Sequence, residues 1–255
     1  MIDIQSDMNI YIKFFTLVGS RYFILAGIFF YVFYVLLKKT NSHTKIQTTI
    51  PDKGDYLREI SFSISSLIIF AMIPTIFIGN PEISSHTLLY KNIEERGWIY
   101  FILVFPIMIF LHDTYFYWTH RLMHHKFFFK IFHLVHHKST NPSPWAAYAF
   151  HPLEAIVEAG ILVIFLFVLP IHQIHFFVFF FFAILYNVYG HLGWEIYPKD
   201  FNLTRVGKWI NTSVSHNQHH KYFKGNYGLY FLFWDRIMGT LREDYDETYK
   251  RVKNA

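Results

Sequence analysis

The sequence predicts an all-α integral membrane protein, with about three to five transmembrane or re-entrant helices and a helical cytoplasmic cap holding a histidine-ligated pair of metal ions. Three observations predict it. Several segments are long, apolar and nearly free of charge, which a soluble core rarely requires. The loops between them carry unequal basic charge, and the histidines gather in closely spaced boxes just beyond apolar segments. Composition agrees, because only 16% of the 255 residues are charged, against roughly 25% in soluble domains.

The first span is Phe14–Leu37, interrupted only by Arg21 and closed by Lys38-Lys39. The second is Ile60–Gly79, with Pro74 as a kink, and the third is Trp98–Trp118, kinked near Pro106 and turning polar at His112. Each approaches the ~20 residues needed to cross a bilayer. Ala155–Pro170 and Ile171–His191 follow almost without a loop, and predict a hairpin that dips into or crosses the membrane. Residues 38–59 carry Lys38, Lys39, Lys45, Lys53 and Arg58, whereas 80–97 carry only Lys91 and Arg96. The excess of basic charge puts 38–59 in the cytoplasm. Residues 112–151 and 191–255 then share that side, so the His-rich regions can meet. Residues 196–255 mix polar and aromatic side chains, with turns at Gly225, Gly228 and Gly239, and predict short helices of a cap. The chain divides into spans and loops over 1–97, a histidine-bearing domain over 98–242 and a polar C-terminal tail over 243–255.

The net charge of +5 and pI near 9.1 suit juxtamembrane contact with anionic lipid, and nothing resembles a nucleic-acid module. The absence of cysteine excludes disulfides and thiolate metal sites. The acidic start, MIDIQSDMN, predicts no removable signal peptide.

Twelve of the sixteen histidines fall into one pattern: HRLMHH (His120, His124, His125), FHLVHH (His133, His136, His137), SHNQHH (His216, His219, His220), with His112, His151 and His191. On a helix, residues four apart share a face, so each box offers two or three imidazoles to one side. Imidazole suits Fe, Zn, Cu and Ni, and about four to six ligands per ion make this set enough for two ions. His120 and His124 share a face and are expected on metal, with His125 an alternate ligand or a supporting residue. His43, His86, His172 and His175 stand alone and read as structural or surface residues. No GxSxG, HExxH, cysteine nucleophile or Gly-rich phosphate loop is present. A water-activating zinc site needs only three protein ligands, so the set is over-supplied for hydrolysis.

HDTYFYWTHRLMHH, FHLVHHKSTNPSPWAAYAFHPLE, NVYGHLGWE, SHNQHH and NYGLYFLFWDRIMGT resemble the fatty acid hydroxylase/sterol desaturase superfamily of membrane di-iron enzymes over roughly residues 98–242, and the variant HRLMHH…FHLVHH…AAYAFHPLE resembles its C-5 sterol desaturase branch. The resemblance implies iron ligands at His120, His124, His133, His136, His137, His191, His216, His219 and His220. Where the family often has a second histidine at the fourth box, this chain has Asn187; His112, Asn187 itself or water fills that place. Asp113, Glu154 and Glu195 lie close in sequence to boxed histidines and are expected to take up their outer N–H groups, as carboxylates around metal-bound imidazoles do. The resemblance further implies two non-haem iron ions, O2, electrons indirectly from NAD(P)H through cytochrome b5 or a ferredoxin with its reductase, and desaturation or hydroxylation of a membrane lipid, sterol-like in the first instance. A fatty-acyl or sphingolipid hydroxylase is the alternative within enzymes; a zinc-binding membrane protein or transporter is the alternative outside them.

Overall fold

A computed structural model describes residues 4–38 and 44–254; Lys39 of the basic loop, His43 and the first three residues lie outside them. Helix α1 (Ile4–Phe30) runs on through a wider π-helical segment, Tyr31–Leu36. Helix α2 (Lys53–Pro74) starts at a reciprocal cap in which Asp52 accepts from the Asp55 N–H and Asp55 from the Asp52 N–H, satisfying two of the free donors of a helix start. Pro74 does not break it; the chain continues as a π-helical segment over Thr75–Gly79, a common way to absorb a lost backbone bond. A single turn, α3 (Pro81–Ser84), leads to α4 (Gly97–Met123). At 1.5 Å per residue α4 is about 40 Å long, longer than the ~30 Å hydrocarbon layer, so His120 near its end stands clear of the apolar stretch that precedes it.

Beyond α4, a π-helical segment (Phe129–His133) passes into α5 (Leu134–His137). Helices α6 (Pro152–Val168) and α7 (Gln173–Gly190) form the hairpin. Then come α8 (Ser213–Tyr222), α9 (Phe233–Ile237) and α10 (Tyr245–Lys253). Among the described residues there is no strand, only isolated bridges such as Lys45 with Trp194.

Among the described residues, four helical stretches are long and apolar enough to cross a membrane: Asp7–Leu36, Lys53–Gly79, Gly97–Met123 and Gln173–Gly190. Their outward faces stay apolar, as at Ile28, Ile99 and Ile102; against lipid tails that costs nothing. Inward faces pack in two clusters, one joining α4, α6 and α7 around Met108, Phe165 and Phe179, the other joining α1, α2 and α7 around Tyr22, Leu67 and Val188. The Phe-rich stretch 176–185 divides accordingly, with Phe176 and Phe179 buried and Phe177 and Phe181 outward.

The cap is tied down by polar contacts. Tyr22 and Ser63 both donate to the Trp145 carbonyl, fixing the loop between the second histidine box and α6. Residues expected to be a polar tail instead form α10, which buries Tyr245, Tyr249 and Val252 against Val214 and Leu232. These three lie four and seven positions apart, on one helical face.

Candidate metal centre

The i, i+4 rule sorts the histidines. His120 and His124 leave the end of α4 together; His133 and His137 are likewise four apart around α5, and His216 and His220 on α8. In the His136-His137 and His219-His220 doublets the neighbour is turned about 100° and serves the other group. The outcome is two groups, each with its ligand nitrogens within 4.8 Å of one another: His120, His124, His133, His137 and His219, and His136, His191, His216 and His220. The groups adjoin, with the His137 and His220 rings 5.0 Å apart. Gly190 lets α7 lie close against His216, because a Cβ there would come 3.3 Å from His216 Cδ2.

Outer hydrogen bonds settle which nitrogen faces inward. A carbonyl can only accept, so each nitrogen bonded to one must carry the proton. His120 Nδ1 donates to the Tyr227 carbonyl (2.9 Å), His219 Nδ1 to Gly225 (2.8 Å), His191 Nδ1 to Asn187 (2.8 Å) and His220 Nδ1 to Ser139 (3.0 Å). Their Nε2 atoms are therefore bare lone pairs. Yet His191 Nε2 and His220 Nε2 lie 3.1 Å apart, and each is 3.1 Å from His216 Nε2. Two acceptors at that distance repel unless a cation lies between them. In the other group His124 Nε2 is 3.1 Å from both His137 Nε2 and His219 Nε2. Nitrogens about 2.1 Å from a shared ion sit about 3.0 Å apart at a right angle and about 3.4 Å apart at the tetrahedral angle. His120 Nε2 and His133 Nε2 are buried without any protein partner, an arrangement that costs free energy unless something binds there.

Burial also keeps the imidazoles neutral, the form that binds metal. Desolvation lowers His191 to about 4 and pushes His133, His136, His137, His216, His219 and His220 well below the usual histidine range. The residues therefore fit a pair of ions of the imidazole-binding kind.

The expected carboxylates separate. His151 caps the start of α6 and Pro152 follows as its first residue, which aims Glu154 at the centre; His133 Nδ1 meets Glu154 Oε1 at 2.6 Å. Asp113 and Glu195, expected on ligand imidazoles, are not there. Asp113 lies seven residues before His120, about 10 Å deeper along α4, and accepts the N–H groups of Tyr230 and Phe231. Those residues follow Tyr227, whose carbonyl holds His120. Glu195 lies beyond the end of α7, where Gly193 turns the chain with φ +78°; it accepts from Val214 N, Tyr197 N and the Tyr189 hydroxyl and so secures the start of α8. Both carboxylates brace the backbone behind the ligands.

His112 and His125 belong to neither group. His112 Nδ1 meets the Tyr230 hydroxyl at 2.9 Å, and His125 is exposed, its ring beside Phe127. Asn187 donates its amide to the Ala147 carbonyl (2.8 Å) while its own carbonyl holds His191. The carbonyls of Ser139, Gly225 and Tyr227 carry no mark in the sequence, since any residue supplies one.

An apolar cavity among α1, α2, α4, α6 and α7 lies beside the centre. Two of its lining rings touch ligands: Phe116 stands 5.0 Å from His120 and Phe150 5.0 Å from His136. Tyr148 lines it too. Trp145 packs against Tyr22 and Phe30.

The family model described as fatty acid hydroxylase matches residues 105–240. The chain is 32% identical to lathosterol oxidase of Rattus norvegicus over 193 residues, 74% of this chain and 62% of that protein. It is 30% identical to a Delta(7)-sterol 5(6)-desaturase of Aspergillus fumigatus over 251 residues, 95% of this chain and 67% of that protein. A Delta(7)-sterol 5(6)-desaturase of Gibberella zeae is 33% identical over 170 residues, 65% of this chain and 49% of that protein. The chain thus spans less than two thirds of the rat relative. No solved structure gives a significant match.

Proposed function

The chain belongs to the fatty acid hydroxylase family, and from that premise we propose that it is a membrane oxidoreductase that uses O2 to desaturate or hydroxylate a sterol-like lipid at a pair of non-haem iron ions. The observation that carries this reading is an apolar cavity whose walls touch both groups of buried imidazoles. The printed names of the relatives, lathosterol oxidase and Delta(7)-sterol 5(6)-desaturase, favour a sterol over an acyl lipid.

His120, His124, His133, His137 and His219 would hold one ion and His136, His191, His216 and His220 the other. When bound, the pair supplies the activation of O2 and the oxidising power needed against an unactivated C–H bond. The protein's part is positional. Outer hydrogen bonds to Glu154 and to backbone carbonyls hold the rings in one tautomer and orientation. Burial of the ligands excludes bulk water. The apolar walls accept the lipid body from the bilayer, and the His112–Tyr230 hydrogen bond ties the α4 wall to the loop that Asp113 braces.

Electrons come from a partner such as cytochrome b5 or a ferredoxin, reduced in turn by NAD(P)H. Exposed Arg205, Lys208, Lys221 and Lys224 on the cap suit an acidic donor, as charge complementarity speeds encounter. The basic loop 38–59 supports a centre facing the cytoplasm, in a bacterial inner membrane or the endoplasmic reticulum.

Purified protein supplied with iron, a donor system, lathosterol and acyl lipids tests the reading by mass spectrometry of the products. A sterol product lighter by two hydrogens, or heavier by one oxygen, is expected. Products confined to hydroxylated acyl chains would overturn the sterol assignment.

A further inference from the structure

The polar groups of the cavity define what its ligand must carry. Glu158 follows Glu154 by one turn on the same face of α6. Glu154 is engaged with His133. Glu158 lines the cavity and has no hydrogen bond or ion pair among the described residues, although it stands in apolar surroundings that penalise a bare polar group. Arg21 of α1 also lines the cavity, its guanidinium 5.7 Å from the Phe177 ring. Most of the remaining wall is apolar, as at Leu17, Ile73, Leu162 and Phe180. A neutral apolar body with one hydroxyl matches a lone carboxyl in such a wall.

We propose that Glu158 is the specificity-determining residue that accepts the hydrogen bond of the substrate's hydroxyl. The inference rests on the reading of this cavity as the lipid site. Cβ atoms four apart on a helix are about 5–6 Å from one another, so the hydroxyl is held only about one turn from the carboxyl that orients His133. The hydroxyl and the oxidised carbon therefore belong to the same compact part of the molecule, as they do in a ring system bearing its own hydroxyl.

The test is equilibrium binding to the full-length protein in phosphatidylcholine nanodiscs, using two pairs of radiolabelled probes: lathosterol with its 3-O-methyl ether, and octadecanol with its methyl ether. Wild-type protein should bind lathosterol about tenfold or more tightly than the ether, the size of one lost hydrogen bond that leaves a buried partner unsatisfied. Glu158→Leu should reduce that preference to about twofold or less, and Glu158→Gln, which keeps an acceptor, should retain an intermediate part. Metal content per chain, unchanged in both variants, verifies that they fold. An equal affinity of wild type for lathosterol and its ether, or a preference untouched in Glu158→Leu, would overturn the role of Glu158 while leaving the sterol reading standing. A Glu158-dependent preference for octadecanol with no sterol binding would do the reverse. Binding of neither pair would overturn both.

Discussion

Glu154 is the one expected carboxylate found on a ligand imidazole, and its contact with His133 is buried on both sides. Removing such an outer partner typically costs 10- to 100-fold in metal affinity. Glu154→Ala should therefore weaken metal binding by about that factor, read by competition with a chelator, while His125→Ala should leave it unchanged. Acid should act through the histidines themselves. Burial leaves His191 titrating at about 4, against about 6.5 in an unfolded chain. Between those values the unfolded chain binds protons that the fold refuses, so stability of the metal-free protein is full above pH ~6.5 and falls as pH drops toward ~4. Thermal unfolding of chelator-stripped protein should show a lower Tm at pH 5 than at pH 7.5; an equal or higher Tm at pH 5 would contradict this. The grouping of the histidines was legible because four-residue spacing maps directly onto a shared face. How the His136-His137 and His219-His220 doublets divide between the groups follows from the same geometry once the groups are seen. The acceptors behind the rings were not legible: backbone carbonyls have no sequence signature, and nearness in sequence misled for Asp113 and Glu195, which depth along α4 and a turn at Gly193 carry elsewhere.

At the scale of elements, length and hydropathy located the spans but not their continuations. Helix α1 persists through a π-helical segment to Leu36, and α2 passes Pro74 into another, because a helix in lipid must keep its backbone satisfied and adjusts locally rather than stopping. Charge misled at the C-terminus. YDETYKRVK looks polar, yet Tyr245, Tyr249 and Val252 make one buried face. Nine residues are too few for a stable isolated helix, so α10 exists by its packing. Tyr249 is fully buried and donates to the Pro198 carbonyl; Tyr249→Ala should cost roughly 3–5 kcal/mol, as large aromatic deletions in cores do. Denaturant titration of the cap, followed by tryptophan fluorescence, checks this, and a loss under about 1 kcal/mol would mean that α10 is dispensable.

For the whole molecule, the spans bring residues over a hundred positions apart to one end of the bundle, and the cap closes over them. Loop charge predicts which side that end faces. The chain has no cysteine, so single cysteines introduced at Lys53 and Lys91 report sidedness without background. In inside-out vesicles an impermeant maleimide should label the first and spare the second, and the opposite pattern would place the centre outside.

The central claim is that two groups of imidazoles hold two irons, and metal content per chain tests it most directly. Elemental analysis of wild-type protein should find about two irons per chain, and both His133→Ala and His216→Ala, which touch different groups, should each retain about one. Zinc in place of iron, a single ion per wild-type chain, or two irons surviving in both variants would contradict the account.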